Sequence, residues 1–218
     1  MIFQNRTDAG RYLATKLSEY AGRGDVVVLA LPRGGVPVAF EVSQALNAPL
    51  DIFLVRKLGV PGHQELAMGA IASGAVLVRN ESVLRYLNIP DDALSTVAVN
   101  EQKELERRER AYRGNRPTPD LKARAAILID DGLATGSTMR AAAAAVRQKE
   151  PARIMVAVPV GAPETCAELR DEVDEIVCVA TPHPFGGVGM WYADFSQTTD
   201  EEVRKLLEKA NLQLNYAS

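Results

Sequence analysis

The sequence predicts an α/β fold: a doubly wound, mainly parallel sheet flanked by helices, with a helical insertion and a hood segment near its end. Three observations point there. Short β-branched runs recur, and most are followed by a stretch with apolar residues at helical spacing. The first two runs and the helix between them fit the roughly 30 residues of a right-handed βαβ unit. Glycine-rich or charged tracts then follow the runs, at the strand ends where open α/β sheets hold ligands. A length of 218 residues suits one generous domain, so 1–218 is expected to fold as a unit.

The elements follow in order. Residues 6–20, "RTDAGRYLATKLSEY", place Ala9, Tyr12, Leu13, Leu17 and Tyr20 near helical spacing, with Thr7 or Asp8 available as a cap. "DVVVLAL" (25–31), bounded by Gly24 and Pro32, reads as a buried strand. A helix over 34–48 tolerates Pro37 only in its first turn. "LDIFLVRK" (50–57) is the next strand. The sheet resumes with strands at 123–130, 152–160 and 174–180, separated by helices at 136–149 and 162–171. Between the halves, 68–117 reads as an insertion. "MGAIASGAVLVRN" alternates about a Ser-Gly pair as a hairpin would, and 81–117 gives two helical segments broken at Pro90. Acids and bases alternate over 101–113, which suits a solvated helix laced with ion pairs. A last helix starts at Thr199, with Glu202 at capping-box distance.

Composition narrows the function classes. A net charge of −3 argues against nucleic-acid binding through bulk charge. There is no run of about 18 apolar residues, and the opening "MIFQNRTDAG" lacks a basic stretch followed by an apolar one, so no membrane segment and a cytoplasmic location are expected. Cys166 and Cys178 lie in apolar surroundings and read as buried, inert thiols. His63 and His183 are the only histidines, so zinc-ligand spacing is absent.

The stretch with the most chemistry is "IDDGLATGST" (129–138). Asp130 and Asp131 end a buried parallel strand, and the glycines and hydroxyls of "GLATGST" lead into a helix. A helix N-terminus with free amides and a positive dipole end is a phosphate cradle. Two adjacent carboxylates repel a phosphate and accept from hydroxyls or bind a cation instead. A ligand with a phosphate at one end and vicinal hydroxyls nearby, such as a ribose 5-phosphate, satisfies both halves. The Walker pattern GxxxxGK[ST] and the dinucleotide pattern GxGxxG are both missing here.

This stretch resembles the ribose-phosphate motif of type I phosphoribosyltransferases: a hydrophobic strand, two acids, two spacers, then Ala/Thr-Thr-Gly-x-Thr. The resemblance implies that Asp130 and Asp131 bind the 2- and 3-hydroxyls of phosphoribosyl pyrophosphate (PRPP). It implies that Ala134, Thr135, Gly136, Ser137 and Thr138 bind its 5-phosphate. Two more stretches resemble the family. "LPRGGVPVA" (31–39) matches the loop that holds pyrophosphate through backbone amides, often with a non-proline cis peptide, and offers Arg33, Gly34 and Gly35. "VRKLGVPGHQELAMGA" (55–70) matches the basic pair and mobile loop of purine-using members, with Arg56 and Lys57 expected at the end of the second strand.

The reaction so implied displaces pyrophosphate from the anomeric carbon by a nitrogen of a nucleobase-like acceptor. Magnesium is expected, held mainly by the ligand with Asp130 and Asp131 assisting. A homodimer is the implied state. The hood (181–198) concentrates aromatics, and Trp191 or Tyr192 is expected to stack on the acceptor. Arg107, Arg108, Arg110, Arg113 and Arg116 form either a solvated helix face or a lid, with Arg113 and Arg116 the foremost exceptions to the first. Two rivals stand beside the enzyme: a non-catalytic PRPP sensor on the same fold, and a phosphate-ester hydrolase using the paired acids. The hydrolase lacks the expected DxD spacing.

Overall fold

The computed structural model describes residues 2–216; residues 1, 217 and 218 of the expected domain, and the side chains of 64, 65 and 214–216, lie outside that description. Helix α1 (Arg6–Lys16) leads through a short 3-10 turn to β1 (Val26–Ala30), α2 (Gly35–Leu46) and β2 (Leu50–Ile52). The α1 cap is Asn5, whose side chain accepts the amide of Asp8, so the helix starts before the Thr7 or Asp8 read as caps.

After Ile52 the chain leaves the parallel sheet earlier than expected. β3 (Val55–Val60), β4 (His63–Ala72) and β5 (Val76–Arg79) form a separate antiparallel sheet, in that order. The stretch read as one strand over 50–57 is therefore two strands in different sheets. Arg56 and Lys57 sit on β3, and much of the stretch read as a mobile loop is a paired hairpin. The Ser-Gly hairpin between β4 and β5 is present as predicted. Helices α3 (Glu81–Tyr86) and α4 (Asp91–Arg113) flank Pro90 as expected.

The chain then re-enters the main sheet with β6 (Ala125–Ile129), α5 (Ser137–Arg147), β7 (Arg153–Val160), α6 (Pro163–Leu169) and β8 (Glu175–Ala180), and closes with α7 (Asp200–Tyr216). The five main strands are all parallel and run in the order β2-β1-β6-β7-β8. Alternate residues of β1 face opposite layers: Val26, Val28 and Ala30 join α1, α2 and α7, while Val27 and Leu29 join α5 and α6. From β1 the chain winds one way to β2, and β6 begins the winding in the other direction. The β1–β6 boundary is the switch point at which such sheets bind ligands.

α4 ties the small sheet to the large one. Its Leu94 and Leu105 are buried in the same cluster as Leu58 and Met68 of the small sheet and Val28 of β1. At its end Arg113 is 5% exposed and donates from Nε to both carboxylate oxygens of Asp51 on β2, at 3.1 and 3.0 Å. Its Nη2 donates to the Ile52 carbonyl at 3.2 Å. Burial pushes the Asp51 carboxyl up against the pull of Arg113. Arg113→Ala would leave that carboxylate buried without its partner, and is expected to cost about 3–5 kcal/mol in urea unfolding at neutral pH. A change under about 1 kcal/mol would show the pair to be solvated.

Candidate active site

The site is built where β1 and β6 end side by side. The Leu31 amide donates to the Ile129 carbonyl at 2.8 Å, which brings the two following loops together. The first loop runs through a cis Pro32–Arg33 peptide into α2. Its glycines allow close approach. A Cβ on Gly35 would stand 2.6 Å from the Ile129 carbonyl oxygen and 2.9 Å from Asp130 Cα, and one on Gly34 would overlap the Asp131 carboxylate. Any larger residue would push this loop off the paired acids.

The second loop carries Asp130 and Asp131 and then turns into α5. Gly136 takes a φ of +72°, which glycine adopts without strain, and a Cβ there would press 2.6 Å from the Thr165 methyl. Neighbouring elements fix the loop. The Leu133 amide donates to the Val160 carbonyl at 2.9 Å, the Ala162 amide to the Leu133 carbonyl at 2.8 Å, and the Thr165 hydroxyl to the Ala134 carbonyl at 2.6 Å. Thr135 and Ser137 present their hydroxyls 3.3 Å apart on the exposed side. The first-turn amides of α5 have no partner within the helix and point into this turn. Ala134, Thr135, Gly136, Ser137 and Thr138 thus form one concave surface, one residue beyond the Asp-Asp-Gly turn.

Both acids are largely withdrawn from water. Asp130 is held well above the usual carboxylate range, first by burial and second by the charge of Asp131. Burial also raises Asp131, but Arg6 opposes it. Arg6 is the residue that sequence reasoning missed. Its Nε donates to Asp131 Oδ2 at 2.8 Å, its Nη1 donates to the Ser196 carbonyl at 2.7 Å, and its guanidinium lies 4.0 Å over the Phe195 ring. No local pattern marks it, since the segment 2–6 reaches the site by pairing with the hood. The Phe3 amide donates to the Trp191 carbonyl, and the amides of Ala193 and Asp194 donate to the carbonyls of Phe3 and Gln4.

The hood differs from its expected role. Tyr192 is buried, packs between Phe3 and Phe195, and donates from its hydroxyl to the Asp131 carbonyl at 2.5 Å. It braces the acids from beneath, and its ring has no open face for a base to stack on. Trp191 is half-buried, with Nε1 donating to the Phe185 carbonyl at 3.0 Å. Val188 packs so closely on Gly132 that a Cβ there would meet its methyls.

Two of the expected cations, Arg33 and Arg56, meet carboxylates. Arg33 points to Asp200 at the start of α7, 3.5 Å away, where Asp200 also accepts from the Tyr112 hydroxyl. Arg56 pairs with Glu101 of α4. Lys57 lines a cavity of about 610 Å³ that shares Ser137 and Thr138 with the phosphate loop. Of the arginine string, Arg107 and Arg108 pair with Glu104 on their own helix. Arg113 is buried and Arg116 donates to the Arg113 carbonyl at 2.9 Å, so both exceptions serve the scaffold. Among the described residues, no group of three or more His, Cys, Asp or Glu side chains could hold a metal ion.

Comparison with known proteins identifies the family. The family model for the phosphoribosyl transferase domain matches residues 1–193. Two Mycobacterium tuberculosis proteins, Rv0571c and MT0597, carry the provisional name of phosphoribosyl transferase; each is 45% identical over 210 residues, 96% of this chain. The match covers 47% of either protein, so the chain spans about half the length of these curated relatives. The crystal structure of TT1426 from Thermus thermophilus superposes with a TM-score of 0.86 at 42% identity, covering 96% of this chain and 99% of that one. No helix among the described residues is long and apolar enough to cross a membrane.

Proposed function

Since the chain belongs to the phosphoribosyl transferase family, we propose that it binds PRPP and transfers the ribose 5-phosphate to a nucleobase-like nitrogen acceptor, releasing pyrophosphate. One observation carries the reading: the Gly34–Gly35 loop is packed directly onto Asp130 and Asp131, with the Ala134–Thr138 turn beside them. In this reading a diphosphate subsite, a pair of hydroxyl acceptors and a phosphate cradle follow one another across the adjacent ends of β1 and β6.

In this reading the Ala134–Thr138 amides and hydroxyls hold the 5-phosphate. Asp130 and Asp131 accept from the ribose hydroxyls and lie near the positive charge that develops on the ring. The 33–35 loop holds the diphosphate, and Arg33 and Arg56 turn from Asp200 and Glu101 toward it when it arrives. The acceptor nitrogen forms its bond to the anomeric carbon as the carbon–oxygen bond to pyrophosphate breaks. Alignment and electrostatic stabilisation suffice, and no covalent nucleophile is needed. Magnesium riding on the diphosphate would neutralise the leaving group. For the acceptor, the Tyr192 ring is spoken for, which leaves Trp191 as the stacking candidate of the two. The protein is read as cytoplasmic and dimeric.

Thermal unfolding with PRPP and magnesium tests the first half. At about 100 times Kd, binding stabilises by about 2.7 kcal/mol, raising Tm by roughly 5–10 °C. Omitting magnesium should abolish most of the shift. Pyrophosphate release with a panel of purines and pyrimidines tests the second half. Binding with no release from any base would favour the sensor, and absence of both would remove the proposal.

A further inference from the structure

Cys166 and Cys178 lie outside the site described above. Cys166 belongs to α6 and is 3% exposed; Cys178 is half-buried on β8, the outer strand of the main sheet. A methyl group built on Gly161 would overlap the sulfur of Cys166 and stand 3.5 Å from that of Cys178, so the two sulfurs flank one point. Both line a cavity of about 370 Å³ beside β8, whose other walls include Lys16, Arg170 and Thr181. The neighbouring Cys178 thiol and the Arg170 charge hold the Cys166 thiol below its ordinary value against burial, while the Cys166 thiol and burial push Cys178 up. The two sulfurs thus share one cavity, with two cations in its wall and room for a small oxidant.

We propose that Cys166 and Cys178 are a redox dithiol, closed to a disulfide by hydrogen peroxide entering this cavity. The Cys166 thiolate attacks one peroxide oxygen, the O–O bond breaks, and the departing hydroxide takes a proton to leave as water. Cys166 is then a sulfenic acid. The Cys178 sulfur attacks it, the S–S bond forms, the S–O bond breaks, and the second hydroxide leaves with the Cys178 proton as water. Two thiols lose two electrons, and one peroxide gains them.

The disulfide acts on the fold through Thr165. This residue adjoins Cys166, and its hydroxyl holds the Ala134 carbonyl at 2.6 Å. Drawing the two sulfurs to bonding distance would pull the first turn of α6 toward β8 and loosen the 133–138 turn.

Equimolar hydrogen peroxide on the reduced full chain tests both steps without using the reaction. Intact mass is expected to fall by two hydrogens, both thiols to vanish from titration, and a peptide map to join the Cys166 and Cys178 peptides, all reversed by dithiothreitol. Cys178→Ser should instead stop at a sulfenic acid trapped by dimedone. Amides 133–138 should exchange with deuterium several-fold faster in the oxidised protein. Two thiols that remain titratable, or oxidation to sulfinic acid without a cross-link, would overturn the dithiol. Unchanged exchange in a fully cross-linked sample would overturn its coupling to the turn.

Discussion

Asp130→Asn and Asp131→Asn are each expected to weaken PRPP binding or turnover by about 10–100-fold, the loss of one charge-assisted hydrogen bond of roughly 1.5–3 kcal/mol. Folding stability should not fall with it for Asp130→Asn, where it should rise. The sign follows from burial. Asp130 has its carboxyl raised above the usual range in the folded protein, chiefly by desolvation. Folding therefore favours its protonated form. That contribution is fully present below the unfolded value of about 3.9 and is lost as pH rises through the folded value. Asn is neutral at every pH and removes this loss. Urea unfolding of Asp130→Asn against the parent at pH 5 and pH 7 should show a smaller decline with pH in the variant. Asp131→Asn is the less clean stability probe, because it also takes the partner from Arg6. Loss of binding together with an equal loss of stability would mean that the acids serve the turn rather than a ligand.

The parts of this molecule legible in the sequence are those whose causes are local. β1, β6, β7 and β8 are short, mainly apolar runs carrying Val and Ile, buried on both faces or lying along an edge, as strands between helices are. The paired acids and the turn after them could be read because strand, turn and helix start are contiguous. "LDIFLVRK" misled for the converse reason. Phe53 and Leu54 are buried like the strand residues before them, so no polar break marks where the chain leaves one sheet for another. Tyr192 misled because an aromatic near a site packs equally well toward a ligand or a core. Phe3, almost the whole chain away, settles it by occupying one side of the ring. Arg33 and Asp200, and Arg113 and Asp51, are likewise pairs that only tertiary structure creates.

Arg6→Gln carries the second large expectation, in which binding and stability separate by pH. Arg6 is 12% exposed and Asp131 15%, so their 2.8 Å contact is shielded from solvent. Removing the guanidinium leaves Asp131 largely buried without its cation, at a cost of about 3 kcal/mol at neutral pH. Arg6 is what opposes the upward push of burial on Asp131. Without it the folded carboxyl takes up a proton at higher pH, and protonation relieves part of the cost. The destabilisation should therefore shrink as the pH is lowered toward 5. A protonated Asp131 is a poor acceptor for a ribose hydroxyl, so the acid limb of the PRPP affinity profile should move to higher pH. A purely structural Arg6 would lower stability and leave that limb in place. Arg6→Lys separates the two contributions. An ammonium restores charge beside Asp131 but cannot also reach the Ser196 carbonyl through a planar fork or lie flat on Phe195. It should bring the acid limb back toward its original position while recovering only part of the stability. If Lys restores neither, the fork geometry holds Asp131; if it restores both, charge alone does.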